Sequence, residues 1–183
     1  MDKDLKALRN NRWDKAFKMD PTGSTKTDSY KDHVDRKATI VIEHIIQASD
    51  ISHTMQHWFV YRKWNENLFN ELYVAHLNGK LDKSPETFWY KGEIGFFDFY
   101  IIPLTRKLKE CGVFGVSSDE YLNYALRNRE EWELKGEAVV ATLAEEARKK
   151  YGTKDAPVVR VQPEAPEQAP SVAPKPFSTD INV

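Results

Sequence analysis

Asp50, His53 and His57 stand at i, i+3 and i+7, a spacing that would set one carboxylate and two imidazoles on a single helix face if the helix ran through them. Those are the donors of a divalent-metal site. The same spacing has a plainer reading, in which Asp50 caps a new helix and the histidines pack on Trp58 and Trp64. Spacing alone favours the plainer one. Ahead of Asp50, Ile42, Ile45, Ile46 and Ser49 recur at helical intervals, so an apolar helix face would hold the acid rigidly by core packing.

The chain that must position these groups has 183 residues, 40% of them hydrophobic, with five tryptophans. That suffices for one domain with a bulky core. A net charge of -1 offers no basic footprint for nucleic acid. The single Cys111 has no partner for an internal disulfide or a structural zinc, which fits a reducing, cytoplasmic compartment. The charged N-terminus has no signal core, and the apolar run 94–104 is broken by Asp98 and Pro103, too short to span a bilayer.

Periodicity predicts helices throughout and no strand, an all-α helical bundle. Residues 2–18 read as a surface helix that starts without a cap, as though cut from something longer; 19–29 are turn formers and read as a loop. A second helix over 29–49 carries the isoleucine face. A third over 55–78 has the stripe Trp58, Tyr61, Trp64, Leu68, Leu72 and Ala75, ordinarily core, and Asn78-Gly79 should stop it with a left-handed cap. Ser84-Pro85 opens a long buried helix to Gly112. Within it Pro103 should kink the axis, while Gly92 and Gly95, each costing roughly 1 kcal/mol relative to Ala, suggest close approach by another helix or a flat ligand. Ser117 to Glu120 cap a last helix to about Lys150, whose charged second half is expected to project from the core. These elements make a domain over 1–150. Residues 151–183 hold six of the nine prolines without apolar period, the composition of a disordered tail.

Four segments taken together, ASDISH at 48–53, YRKW at 61–64, GEIGFFDFYIIPL at 92–104 and NREEW at 128–132, resemble the C-terminal half of the class I cyclic nucleotide phosphodiesterase catalytic domain. The resemblance covers about residues 2–135. It implies an all-α, HD-type catalytic domain holding two divalent metals, usually zinc and magnesium, on two His, two Asp and a bridging water. Such a centre supplies a hydroxide and polarises the phosphate, cutting the 3′ phosphoester of cAMP or cGMP. Asp50 matches the second metal-binding Asp. Phe96 matches the purine-clamping phenylalanine, and Ile51 the apolar position closing the clamp. Trp64, Pro103 and Trp132 match structural positions, core and kink.

There are departures from the family pattern. His53 stands where the family usually has Asn, so His53 and His57 read as pocket lining or core rather than ligands. Glu93 stands where a glutamine commonly binds the purine edge; an ionised carboxylate only accepts hydrogen bonds, which tilts the expectation toward cGMP. The HNxxH and HDxxH motifs with the general-acid His lie upstream of anything present, leaving no catalytic acid and one of four metal ligands in this chain. The leading reading is a phosphodiesterase fragment that needs the missing N-terminal half of its domain. The alternative is a non-catalytic helical interaction or regulatory module derived from one.

Overall fold

A computed structural model describes residues 3–17 and 30–153; the loop expected at 19–29 and nearly all of the Pro-rich stretch lie outside them. Every regular element among the described residues is helical, so the chain is all-α. The order is α1 (Lys3–Phe17), α2 (Tyr30–Asp50), α3 (Trp58–Leu77), α4 (Trp89–Phe96), α5 (Ile102–Glu110) and α6 (Ser118–Tyr151). Gly79, at φ 72, terminates α3 as the Asn-Gly pair predicts. Its N–H donates to the His76 carbonyl at 3.0 Å, while the Lys80 N–H reaches Ala75 at 2.9 Å, a Schellman-type closure.

The helix expected over 84–112 is a composite. A 3₁₀ turn, Pro85–Thr87, leads into α4, and a π turn, Phe97–Ile101, joins α4 to α5. In that π turn the Ile102 N–H donates to the Phe97 carbonyl, five residues back. Pro103 has no N–H to donate and is expected to disturb the preceding turn; here the disturbance takes the form of an inserted residue.

The main core gathers around Trp132, Tyr61, Phe69, Phe97, Ile101 and Leu108, all fully buried. Aromatic edges meet faces there: Tyr61 lies 5.3 Å from Phe97 and 5.9 Å from Trp132, both near-perpendicular, the arrangement ring quadrupoles favour. The Trp132 indole N–H is satisfied by the Tyr90 carbonyl at 3.1 Å. A smaller cluster, Trp13, Ala16 and Ile40, joins α1 to α2, so α1 buries one face rather than lying wholly on the surface.

Three expectations are corrected. The buried line of α3 is Tyr61, Asn65, Phe69 and Tyr73, rotated from the predicted stripe, so Trp64 is 55% and Leu68 45% exposed; Trp64 is not core. Helix α6 does not project. Val140, Leu143, Ala144 and Ala147 bury along it, Arg148 pairs with Glu86, and the Tyr73 hydroxyl donates to the Gly152 carbonyl at 2.9 Å. Small alanines let a charged helix lie close while its long charged side chains stay wet. No other helix approaches Gly92 or Gly95 closely: a Cβ there would meet only the rings of Phe88 and Phe99, at 3.8 and 3.9 Å, within the same helical rod. The close-packed glycine is Gly136, where a Cβ would fall 2.9 Å from both Trp132 and Tyr90 side chains.

Candidate active site

Asp50 is the last residue of α2 and is exposed. No basic side chain occupies that last turn, so its carboxylate adds to the negative end of the helix dipole, where a cation is favoured. The chain then turns out of the helix. The Ile51 N–H still reaches Ala48 at 3.3 Å, and a 3₁₀ turn, Ser52–Met55, follows. The helix does not run through to His57, so Asp50, His53 and His57 do not share a helix face. Among the described residues no three His, Cys, Asp or Glu side chains come together to hold a metal ion.

The turn is fastened from both ends. The Thr54 hydroxyl donates to the Ile51 carbonyl at 2.7 Å, and buried Asn128 of α6 donates to the carbonyls of Thr54 and Gln56 at 3.0 and 2.8 Å. One amide thus serves two carbonyls, that of Thr54 buried and that of Gln56 partly so. Ile51, half-buried, packs on the main core. His53 is half-buried with its ring 5.9 Å from Trp64, and burial holds its pKa below the usual imidazole value. His57 caps α3, its Nδ1 accepting the Phe59 N–H at 3.4 Å. His53 is thus partly buried beside Trp64, and His57 is exposed at the start of α3, so it is not core.

Glu93 and Phe96 lie one turn apart on α4, and so on one side of it. Phe96 is partly buried and stacks on Tyr100 at 5.4 Å with the rings 9° from parallel. Glu93 accepts the Tyr61 hydroxyl on Oε2 at 2.7 Å. Asn65 lies behind, its Nδ2 3.4 Å from that hydroxyl and its Oδ1 3.3 Å from the Trp89 indole N–H. Burial raises the Glu93 pKa, and the hydrogen bonds from Tyr61 and Asn65 act against it. Tyr61 is pushed well above its usual value by burial and by the Glu93 charge, which keeps its hydroxyl a donor. Two residues past Phe96, Asp98 is gripped by Arg129 of α6 through Nε at 2.9 Å and Nη2 at 3.2 Å, a bidentate pair that fixes direction as well as distance.

A cavity of about 310 Å³ opens between α1, α2 and α5, lined by Arg12, His44, Phe99, Tyr100 and Lys107 among others. It is not lined by Asp50, Ile51, Glu93 or Phe96. Tyr100 is the link between that cavity and the Phe96 stack.

The family model for 3′,5′-cyclic nucleotide phosphodiesterase matches residues 5–114, a span running from α1 through α5. The chain belongs to the 3′,5′-cyclic nucleotide phosphodiesterase family. Comparison with curated proteins and with solved structures gave no match. Phosphodiesterases of this family generally use divalent metals; Asp50 is a hard oxygen donor at the end of a helix whose last turn carries no basic side chain, the donor type such ions take. The match encloses Asp50, Ile51, His53, Glu93 and Phe96; α6, with Asn128, Arg129 and Trp132, lies beyond it. The supporting residues Tyr61 and Asn128 stood inside the YRKW and NREEW segments, yet only their tertiary partners give them roles.

Proposed function

We propose that this chain carries the base-binding wall and one metal ligand of a phosphodiesterase that hydrolyses cAMP or cGMP to the 5′-monophosphate in cyclic nucleotide signalling. The observation that carries the reading is that the family match encloses both the exposed end of α2, where Asp50 stands, and α4, where Glu93 and Phe96 stand one turn apart. Divalent ions, zinc and magnesium, supply an activated hydroxide and polarise the phosphate when bound. Asp50 would be one ligand to those ions. Phe96, backed by Tyr100, stacks on the purine, Ile51 closes the opposite side, and His53, kept neutral by burial, lines the pocket without binding metal. Glu93 meets the purine edge. As an ionised acceptor it suits guanine, whose N1–H and 2-amino group are adjacent donors, better than adenine, by about 1–3 kcal/mol for an unsatisfied polar group. Residues 1–150 are the partial catalytic domain and 151–183 a tail, in a cytoplasmic protein.

Asp50 alone cannot retain a reactive metal pair, because one monodentate carboxylate in water competes poorly with hydration. The 183-residue chain with added zinc and magnesium is expected to show no turnover of either nucleotide. Joined to the upstream half of the domain, it should hydrolyse cyclic nucleotide, and Asp50→Ala should abolish that. Metal-dependent turnover by the chain alone that vanishes in Asp50→Ala would refute the need for the missing half. A complete domain inactive on both nucleotides would overturn the reading.

A second reading, a non-catalytic interaction module, is favoured by the apolar side chains left outside: Ile42, Ile46, Phe59, Trp64 and Phe99 are all exposed. A pull-down in which the chain binds a partner, with the complete protein inactive, would select it.

A further inference from the structure

Glu93 is held from one side. The Tyr61 hydroxyl occupies Oε2 as a donor at 2.7 Å, and its ring is wedged between Phe97 and Trp132, so that oxygen stays an acceptor whatever the carboxyl's charge. A proton, when present, belongs on the other oxygen. Glu93 therefore has two faces to offer a base: acceptor with acceptor when ionised, acceptor with donor when protonated.

Adenine and guanine answer differently to the two. Adenine sets its 6-amino donor beside the N1 acceptor. A carboxylic acid pairs with both, its carbonyl taking the amino proton and its O–H going to N1, whereas a carboxylate sets a lone pair against N1. Guanine pairs with either form, through N1–H and the 2-amino group toward the carboxylate or N1–H and O6 toward the acid.

Resting on the base-facing role of Glu93 proposed above, we infer that Glu93 couples base choice to one proton: adenine nucleotides are taken up with Glu93 protonated, guanine nucleotides with it ionised or protonated alike. Binding an adenine nucleotide to the ionised form thus draws one proton from solvent onto the Glu93 oxygen that Tyr61 does not occupy, and binding a guanine nucleotide draws none. The groups acting on this carboxyl are known. From α3 come Tyr61 and Asn65, which favour the ionised form, and Arg62, whose charge acts on Tyr61. From α6 comes Trp132, which packs on the Tyr61 ring, and α4 itself contributes Trp89 through Asn65. Burial works against the hydrogen bonds from Tyr61 and Asn65 and moves the titration up from the ordinary carboxyl value.

The experiment is a pH series, mildly acidic to mildly alkaline, of kcat/KM for cAMP and cGMP in the complete protein. Because both substrates share the phosphodiester and the metal chemistry, other titrations cancel in the ratio. The cGMP-to-cAMP ratio should rise with pH through a single one-proton transition, by at least about tenfold. Glu93→Gln should make the ratio independent of pH. Tyr61→Phe, which removes a donor that favours the carboxylate, should move the transition to higher pH, a shift that loss of packing alone would not produce. A flat ratio with both nucleotides hydrolysed, or a transition that persists in Glu93→Gln, overturns the inference and leaves the phosphodiesterase reading intact. Hydrolysis of neither nucleotide at any pH overturns both.

Discussion

The molecule has two kinds of interior. Around Trp132 the chain supplies every contact itself: rings from α3, the α4 rod and α6 interlock, and the indole N–H, the Asn65 amide and the Asn128 amide all find partners. Around α2 it does not. The Trp13, Ala16 and Ile40 cluster covers one flank, while Ile42 and Ile46 remain 56% and 58% exposed. Glu93 and Phe96 stand on the first region and Asp50 at the tip of the second. The proposed base-facing wall is thus built on a core closed by this chain, and the proposed metal-facing acid on a helix with an apolar flank still open.

That contrast can be broken in three places. The largest effect belongs to Trp132→Ala, which empties the centre of the closed region and removes the indole hydrogen bond to the Tyr90 carbonyl. It should cost about 3–5 kcal/mol, read as a fall in the denaturation midpoint; a loss under 1 kcal/mol would mean the ring is not the keystone of that core. Next is Asn128→Ala, at the joint between the regions. Two carbonyls of the turn after Asp50 would lose their donor, an expected cost of about 1–3 kcal/mol. Amide exchange at residues 51–56 should accelerate while that of α3 stays slow, and uniform acceleration would deny the turn a separate fastening. The smallest effect is expected on the open flank. Ile42→Ser with Ile46→Ser should change stability of the 183-residue chain by no more than about 0.5 kcal/mol each, as at ordinary surface positions. A cost of several kcal/mol, the range for truncating a buried isoleucine, would show that this flank is already covered in solution.

The titration of Glu93 touches stability too. Its folded pKa is raised above the ordinary 4.5, so its share of stability is complete below the unfolded value and is lost as pH rises through the folded one. His53, lowered by burial, has the opposite slope: its contribution is present above pH 6.5 and is lost as pH falls through the folded value.

Local chemistry alone determined which stretches are helical and where several of them stop. Gly79 closes α3 because only a residue without Cβ takes that left-handed turn readily, and Pro103 disturbs its helix because it lacks a donor. The residue types at Asp50, Gly95 and Phe96, with the order of the motifs around them, were enough to point to the family. What composition and period could not say was which flank of each helix is inside. A stripe of Trp58, Trp64 and Leu68 and one of Tyr61, Asn65, Phe69 and Tyr73 wind along the same α3; the second is buried because α6 and the α4 rod supply partners for the Tyr61 hydroxyl and the Asn65 amide, which a polar residue needs before it can leave water. Tertiary structure likewise made Gly136 the one close-packed glycine among the described residues, and laid the charged end of α6 down on its alanines. A one-dimensional pattern records how apolar each face is; which face is buried depends on what the rest of the chain brings up against it.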